Sequence, residues 1–304
     1  MSVVVDSITK IYGTQKALDQ VSFKVEPGQV VGFLGPNGAG KSTMMKIISC
    51  FIPQTDGKVT VEGFDVNSDP LEVRRRVGYL PEHNPLYLDM YVKEFLLFIG
   101  QIQLSRHEAL QRTREMIELT GLGPEQNKKI SELSKGYRQR VGLAQSMIHA
   151  PGVLILDEPT TGLDPNQLVE IRNLIRNIGR EKTVILSTHI MQEVEAICNR
   201  VIIINKGKIV ADEDTSRLRA QAGGRNVIRV EFDKEVEAAE LSSIPGVLKV
   251  RKEKDKTWAL EGAAEADIRQ ELFRFAVDRG LSVLMMQKEE NNLETVFRQL
   301  TVDK

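Results

Sequence analysis

A glycine-rich run, Gly35-Pro36-Asn37-Gly38-Ala39-Gly40-Lys41-Ser42-Thr43, follows the apolar segment Val30-Val31-Gly32-Phe33-Leu34. The spacing is that of a phosphate-binding loop, a glycine, four residues, then Gly-Lys-Ser. The chemistry follows from residue type. Glycines let backbone N–H groups turn inward as an anion nest, and a helix opening near Lys41 points its partial positive end at the same place. The Lys41 ammonium can reach the outer phosphates of a nucleoside triphosphate, and the Ser42 hydroxyl can ligate Mg²⁺.

Two carboxylates, Asp157 and Glu158, emerge from a second apolar run, Val153-Leu154-Ile155-Leu156. At the end of a strand beside the phosphate loop, Asp157 could hold Mg²⁺ through its water shell. Glu158 would then be placed to polarise an attacking water. His189 follows a third run, Thr183-Val184-Ile185-Leu186-Ser187-Thr188. Its imidazole is expected to face the outermost phosphate and to keep the water and Glu158 in register. Asn205-Lys206-Gly207-Lys208 imitates part of a guanine-reading motif but lacks its aspartate, and it reads as a hairpin turn.

These residues need a parallel sheet to bring them together. Apolar runs at 30–34, 77–80, 153–156 and 183–186 alternate with helical stretches, the pattern of a doubly wound α/β sheet whose ligands gather at strand C-terminal ends. Ahead of it, short β segments at Val3–Val5, Val21–Val25 and Lys58–Val61 predict an antiparallel β subdomain. From about 84 to 150 the pattern turns helical. Val92, Phe95, Leu96 and Ile99 recur at one-face spacing, and a second helix around Leu110 and Ile117 should end at Gly121. Thr215–Asn226, with Gly223-Gly224, reads as a linker. The remainder reads β (227–232), α (234–243), β (247–253), β (256–261), α (265–279), β (281–286), then a short helix from about Asn292. The β-α-β-β-α-β order is that of a small ferredoxin-like α+β domain. The expected division is therefore 1–220 and 225–304.

At 304 residues with 41% hydrophobic and 27% charged side chains, the composition is that of a globular protein with a sizeable core. The net charge of −1 gives no basic field for nucleic acid. Cys50 and Cys198 lack metal-ligand spacing and read as reduced thiols. No apolar run approaches the ~18 residues of a membrane span, and the first residues lack a signal-peptide pattern. Any membrane role is expected to be borrowed from a partner.

One further segment completes a set. Leu133-Ser134-Lys135-Gly136-Tyr137-Arg138-Gln139-Arg140 heads a helix with Val141, Ala144 and Ile148 along one face. With it, five motifs stand in the order of the ATP-binding-cassette (ABC) ATPases, which residues 1 to about 220 resemble. The resemblance implies a P-loop ATPase fold with ATP and Mg²⁺ as cofactors. It also implies a homodimer in which Ser134 and Gly136 meet the γ-phosphate bound by the partner. The usual Leu-Ser-Gly-Gly-Gln is altered here at Lys135, a cation near phosphate, and at Tyr137, which lacks the amide expected near ribose.

By the same resemblance Tyr12 is the aromatic that stacks on adenine, and Thr161-Gly162-Leu163-Asp164 is the loop that couples the two sites. Glu82 stands where a glutamine usually touches Mg²⁺ and the membrane subunit. Integral membrane permease subunits are the implied partners, with peripheral attachment to the cytoplasmic side of the membrane. The single cassette with a C-terminal domain looks like the exporter-type subunits of drug resistance and ion efflux, with a further likeness to those associated with gliding motility. The alternative is an ABC ATPase acting on ribosomes or DNA. A single cassette, with no coiled-coil insert and no basic run, argues against it.

Overall fold

The computed structural model describes residues 1–218, 226–262 and 267–289, together with Phe297 and Thr301. The chain divides into two compact units, Met1–Thr215 and Ser216–Lys304.

The first unit opens with β1 (Val3–Tyr12) and β2 (Gln15–Val25), a long antiparallel hairpin. The sequence suggested only short pieces here. Bulges at Ser7 and Gln20, both at left-handed φ, shift the register and interrupt the alternation of apolar residues. β3 (Val30–Leu34) is buried along its whole length and leads through the glycine-rich loop into α1 (Lys41–Ile48). β4 (Asp56–Val61) and β5 (Phe64–Asp65) complete an antiparallel sheet of order β2-β1-β4-β5. Then come α2 (Pro70–Arg76) and β6 (Val77–Leu80).

The helical segment contains α3 (Val92–Gly100), α4 (Arg106–Leu119) and α5 (Lys135–Met147). In α4 the buried face is Ala109, Thr113, Met116 and Ile117, while Leu110 is only half-buried. Gly121 ends the turn beyond α4 at φ 67°. β7 (Val153–Asp157), α6 (Pro165–Ile178) and β8 (Thr183–Thr188) form a β-α-β unit with parallel strands. The unit closes with α7 (Met191–Ile197) and the hairpin β9 (Arg200–Asn205) and β10 (Lys208–Asp214). Lys206 and Gly207 both take left-handed φ in its turn, which disposes of the guanine-motif imitation as a two-residue hairpin.

The central sheet runs β10-β9-β3-β8-β7-β6. One sequence expectation needs correcting: β7 does not neighbour β3. β8 lies between them, so Asp157 faces the phosphate loop across an intervening strand. α1 supplies Met44, Met45, Ile47 and Ile48 to a core shared by the antiparallel sheet and the central sheet. Burial of such apolar side chains, about 1.5–3 kcal/mol each, holds the loop preceding α1 to its scaffold.

In the second unit, β11 (Asn226–Phe232), β12 (Val247–Lys254), β13 (Thr257–Gly262) and β14 (Val283–Glu289) form an antiparallel sheet of order β12-β13-β11-β14. Helices Ala238–Ser242 and Arg269–Asp278 occupy the two crossover positions. This is the ferredoxin-like topology read from the sequence, with a first helix shorter than expected. Its core joins Ile228, Val230 and Phe232 to Trp258, Leu260, Leu272 and Ala276. The expected linker begins as a helical turn at 215–218. The rest of it, and most of the final helix expected from Asn292, lie outside the described residues.

Candidate nucleotide site

A cleft of about 520 Å³ opens above the C-terminal ends of β3 and β8, lined by Tyr12, Asn37, Gly38, Gly40, Lys41, Ser42, Thr43, Glu82, Glu158, Thr161 and His189, with Gln15 and Ala17 beside Tyr12. Its floor is the loop Gly35–Gly40. Gly38 and Gly40 adopt φ +79° and +110°, and a Cβ on Gly40 would stand 2.6 Å from the Ala17 carbonyl oxygen. Only glycine fits there. Ala39 is buried beneath, where its carbonyl accepts the Gly207 N–H at 3.0 Å, and Gly35 N–H donates to Thr188 O. The loop is thus tied to the β9–β10 turn on one side and to β8 on the other. Pro36 carries one of two carbonyls that receive the Lys41 ammonium, at 3.3 Å, the other being Gly35 O at 2.8 Å.

Lys41 is 5% exposed, and its Nζ lies 3.4 Å from Oε1 of Glu158. Glu158 is also nearly buried. Its carboxylate meets His189 Nδ1 at 2.9 Å and receives the Thr161 hydroxyl at 3.4 Å. Its backbone sits at φ 49°, uncommon for a side-chain-bearing residue, while its N–H donates to both Ser187 O and Ser187 Oγ. His189 itself projects into the open cleft. Of the residues the sequence reading placed in catalysis, Glu158 is therefore in contact with both Lys41 and His189.

Behind it, Ser42 Oγ donates to Asp157 Oδ1 at 3.1 Å, and Ser187 Oγ donates to the same oxygen. Burial pushes the Asp157 carboxyl pKa upward, against the two hydroxyl donors. A cation close by would reverse that push. Donors in this corner are hard oxygens (Ser42, Asp157 and the exposed Glu82), the type Mg²⁺ prefers. Tyr79 Oη is buried there without a hydrogen-bond partner, and burial, with the charges of Asp157 and Glu82, raises its phenol pKa above the usual range. Among the described residues no three His, Cys, Asp or Glu side chains converge to hold an ion unaided. That fits an ion which keeps waters and shares its shell with substrate phosphates. The residues present therefore suit Mg²⁺.

Tyr12 stands half-exposed at the mouth, with Lys10 Nζ 5.1 Å from the ring centroid. Ser134, Lys135, Gly136 and Tyr137 are not in the cleft. Ser134 caps α5, accepting the Tyr137 N–H at 3.4 Å, and Arg140 lies over the Tyr137 ring. A Cβ on Gly162 would stand 2.0 Å from Lys135 Nζ, so the lysine lies over the 161–164 loop. Asp164 caps α6 through Asn166 and Gln167 N–H groups. Sequence reading gave Thr161 only as part of the coupling loop, not as a partner of Glu158, and missed Ser187 and Glu193. Only Ser187 left a signal, as a polar end to an apolar strand.

Residues 18–161 match the ABC transporter family, and residues 214–301 match the C-terminal domain of DrrA1-3-like ATP-binding proteins. The linearmycin resistance ATP-binding protein LnrL of Bacillus subtilis (strain 168) is 31% identical over 302 residues, covering 97% of each chain. The daunorubicin resistance ATP-binding protein DrrA2 of Streptomyces coeruleorubidus is 33% identical over 308 residues, covering 97% of this chain and 94% of its own. A solved dimeric ATP-binding cassette, bound to ADP and Pi after hydrolysis, superposes with a TM-score of 0.64 at 27% identity. It covers 70% of this chain and 98% of that one. The chain belongs to the ATP-binding subunits of ABC transporters. It is an ATPase of that family, binding ATP and hydrolysing it to power transport, and its overall sequence is similar to resistance and export subunits. Among the described residues no helix is long and apolar enough to cross a membrane.

Proposed function

We propose that two copies of this chain form a homodimer on the cytoplasmic side of the cell membrane, held there by integral membrane permease subunits, and that ATP closes the dimer to drive efflux. The observation that carries this reading is a split. Lys41, Ser42, Glu158 and His189 meet in one cleft, while Ser134–Tyr137 lie outside it. A second copy related by a two-fold axis supplies the missing half.

Each side chain then has a task. Backbone N–H groups within Asn37–Thr43 cradle the phosphates, and Lys41 neutralises their charge. Tyr12 stacks on adenine. Ser42, Asp157 and Glu82 would hold Mg²⁺, which would offset the triphosphate's charge when bound. Glu158 takes a proton from the attacking water, oriented by His189. Ser134, Lys135, Gly136 and Tyr137 face the partner's nucleotide, and the 161–164 loop through Asp164 passes its state across the interface. Because the nucleotide touches both copies only when they are closed, ATP shifts the population toward the closed dimer, and hydrolysis removes the bridge.

Efflux is preferred to gliding machinery because the full-length relatives described above are resistance proteins. The C-terminal domain is assigned to interaction or regulation. The test is sedimentation of Glu158→Gln with and without ATP. A nucleotide-dependent dimer is expected, and a monomer at saturating ATP would overturn the reading.

A further inference from the structure

Behind the cleft, Glu193 of α7 is fully buried, an unusual place for a carboxylate. Its two oxygens are shared between two loops. Oε1 receives the hydroxyl of Thr160, two residues after Glu158. Oε2 receives the hydroxyl of Thr188 at 2.7 Å, one residue before His189. The direction of the second bond is settled locally. Thr188 Oγ1 already accepts the Ile190 N–H at 3.0 Å, which leaves its own hydrogen for Glu193. Arg172 Nη2 lies 3.9 Å from Oε1, the nearest cation among the described residues.

The two loops are therefore bridged twice. On the cleft side the bridge is His189 to Glu158, and on the buried side it is Thr188 and Thr160 to Glu193. The result is a closed ring through Glu158, Pro159, Thr160, Glu193, Thr188 and His189. We infer that Glu193 is a positioning residue for hydrolysis, setting the separation of the Glu158 and His189 backbones and holding Glu158 in its left-handed conformation. It is not among the residues that line the cleft. A neutral amide in its place presents one oxygen and one NH2, so one threonine hydroxyl must turn from donor to acceptor and both charge-assisted bonds are lost, which loosens the bridge between the loops. Displacement of about 1 Å at a reacting group costs up to about a hundred-fold in rate.

This inference rests on the assignment of Glu158 as base, and the two can fail separately. The experiment is steady-state and single-turnover ATP hydrolysis by the full chain carrying Glu193→Gln, alone and together with Glu158→Gln. Expected is a roughly ten- to hundred-fold fall in kcat with KM for ATP unchanged, and no further fall when Glu158→Gln is already present. Wild-type kcat in Glu193→Gln would overturn the inference. So would a rise in KM that accounts for the loss, or an equal loss repeated in the Glu158→Gln background. Should Glu193→Gln not fold, Thr160→Val removes one arm and leaves the carboxylate bonded to Thr188; kcat must fall at constant KM there too, and an unchanged kcat overturns the inference. Full turnover in Glu158→Gln alone would instead refute the base assignment, whatever Glu193 does.

Discussion

His189 Nδ1 lies 2.9 Å from Oε2 of Glu158, although 31 positions separate them in the chain. The contact exists because β7 and β8 are paired in parallel with Asp157 opposite Ser187, so the residues that follow each strand emerge side by side. Glu158→Gln removes the proton acceptor while keeping the shape. Hydrolysis should slow by about 10²–10⁴-fold, the usual size of a general-base contribution, with ATP affinity retained. Turnover assays paired with a nucleotide titration check both halves.

Lys41→Ala should abolish tight ATP binding. Besides losing a phosphate contact, it leaves the nearly buried Glu158 carboxylate without its ammonium partner 3.4 Å away. Isothermal titration with ATP would show the loss, and unchanged affinity would refute the phosphate-loop assignment.

Asp157→Asn retains an acceptor for the hydroxyls of Ser42 and Ser187 but deletes the charge. The Mg²⁺ concentration needed for half-maximal hydrolysis should rise about 10–100-fold, the range for groups that act on a metal through its outer shell. A Mg²⁺ titration of activity reads this directly.

Lys41→Ala and Ser134→Ala should each be inactive alone, yet partly active when mixed. A mixed dimer places both defects in one composite site and leaves the other intact. No recovery on mixing would mean that Ser134 does not act on the partner's nucleotide.

Gly40→Ala should lower the melting temperature by several degrees, from a left-handed backbone costing on the order of 1–3 kcal/mol and a Cβ driven to within 2.6 Å of Ala17 O. A calorimetric scan checks it. Gly13, which also has positive φ but no neighbour within 4 Å, serves as the control for conformational strain alone.

What could be read without coordinates was local. The phosphate loop declares itself because an apolar strand, a glycine run and a helix start are adjacent in sequence, and Ser134 heads its helix through a hydrogen bond to the N–H three residues on. β1 and β2 were underestimated because bulges at Ser7 and Gln20 reset the alternation that marks a strand. Glu193 gave no warning at all, since a glutamate on a short helix is ordinarily solvated.

By itself, then, the order of residues determined the local chemistry: which loop can cradle phosphate, which strand ends carry carboxylates, and the β-α-β-β-α-β course of the second unit. Only the tertiary structure decided that β8 stands between β3 and β7, that Glu158 touches both Lys41 and His189, and that Glu193 bridges the loops behind them. The reason is physical. Hydrogen-bonding preference and side-chain type act over a few residues, whereas strand order and burial are set by which apolar faces cover one another across the whole sheet.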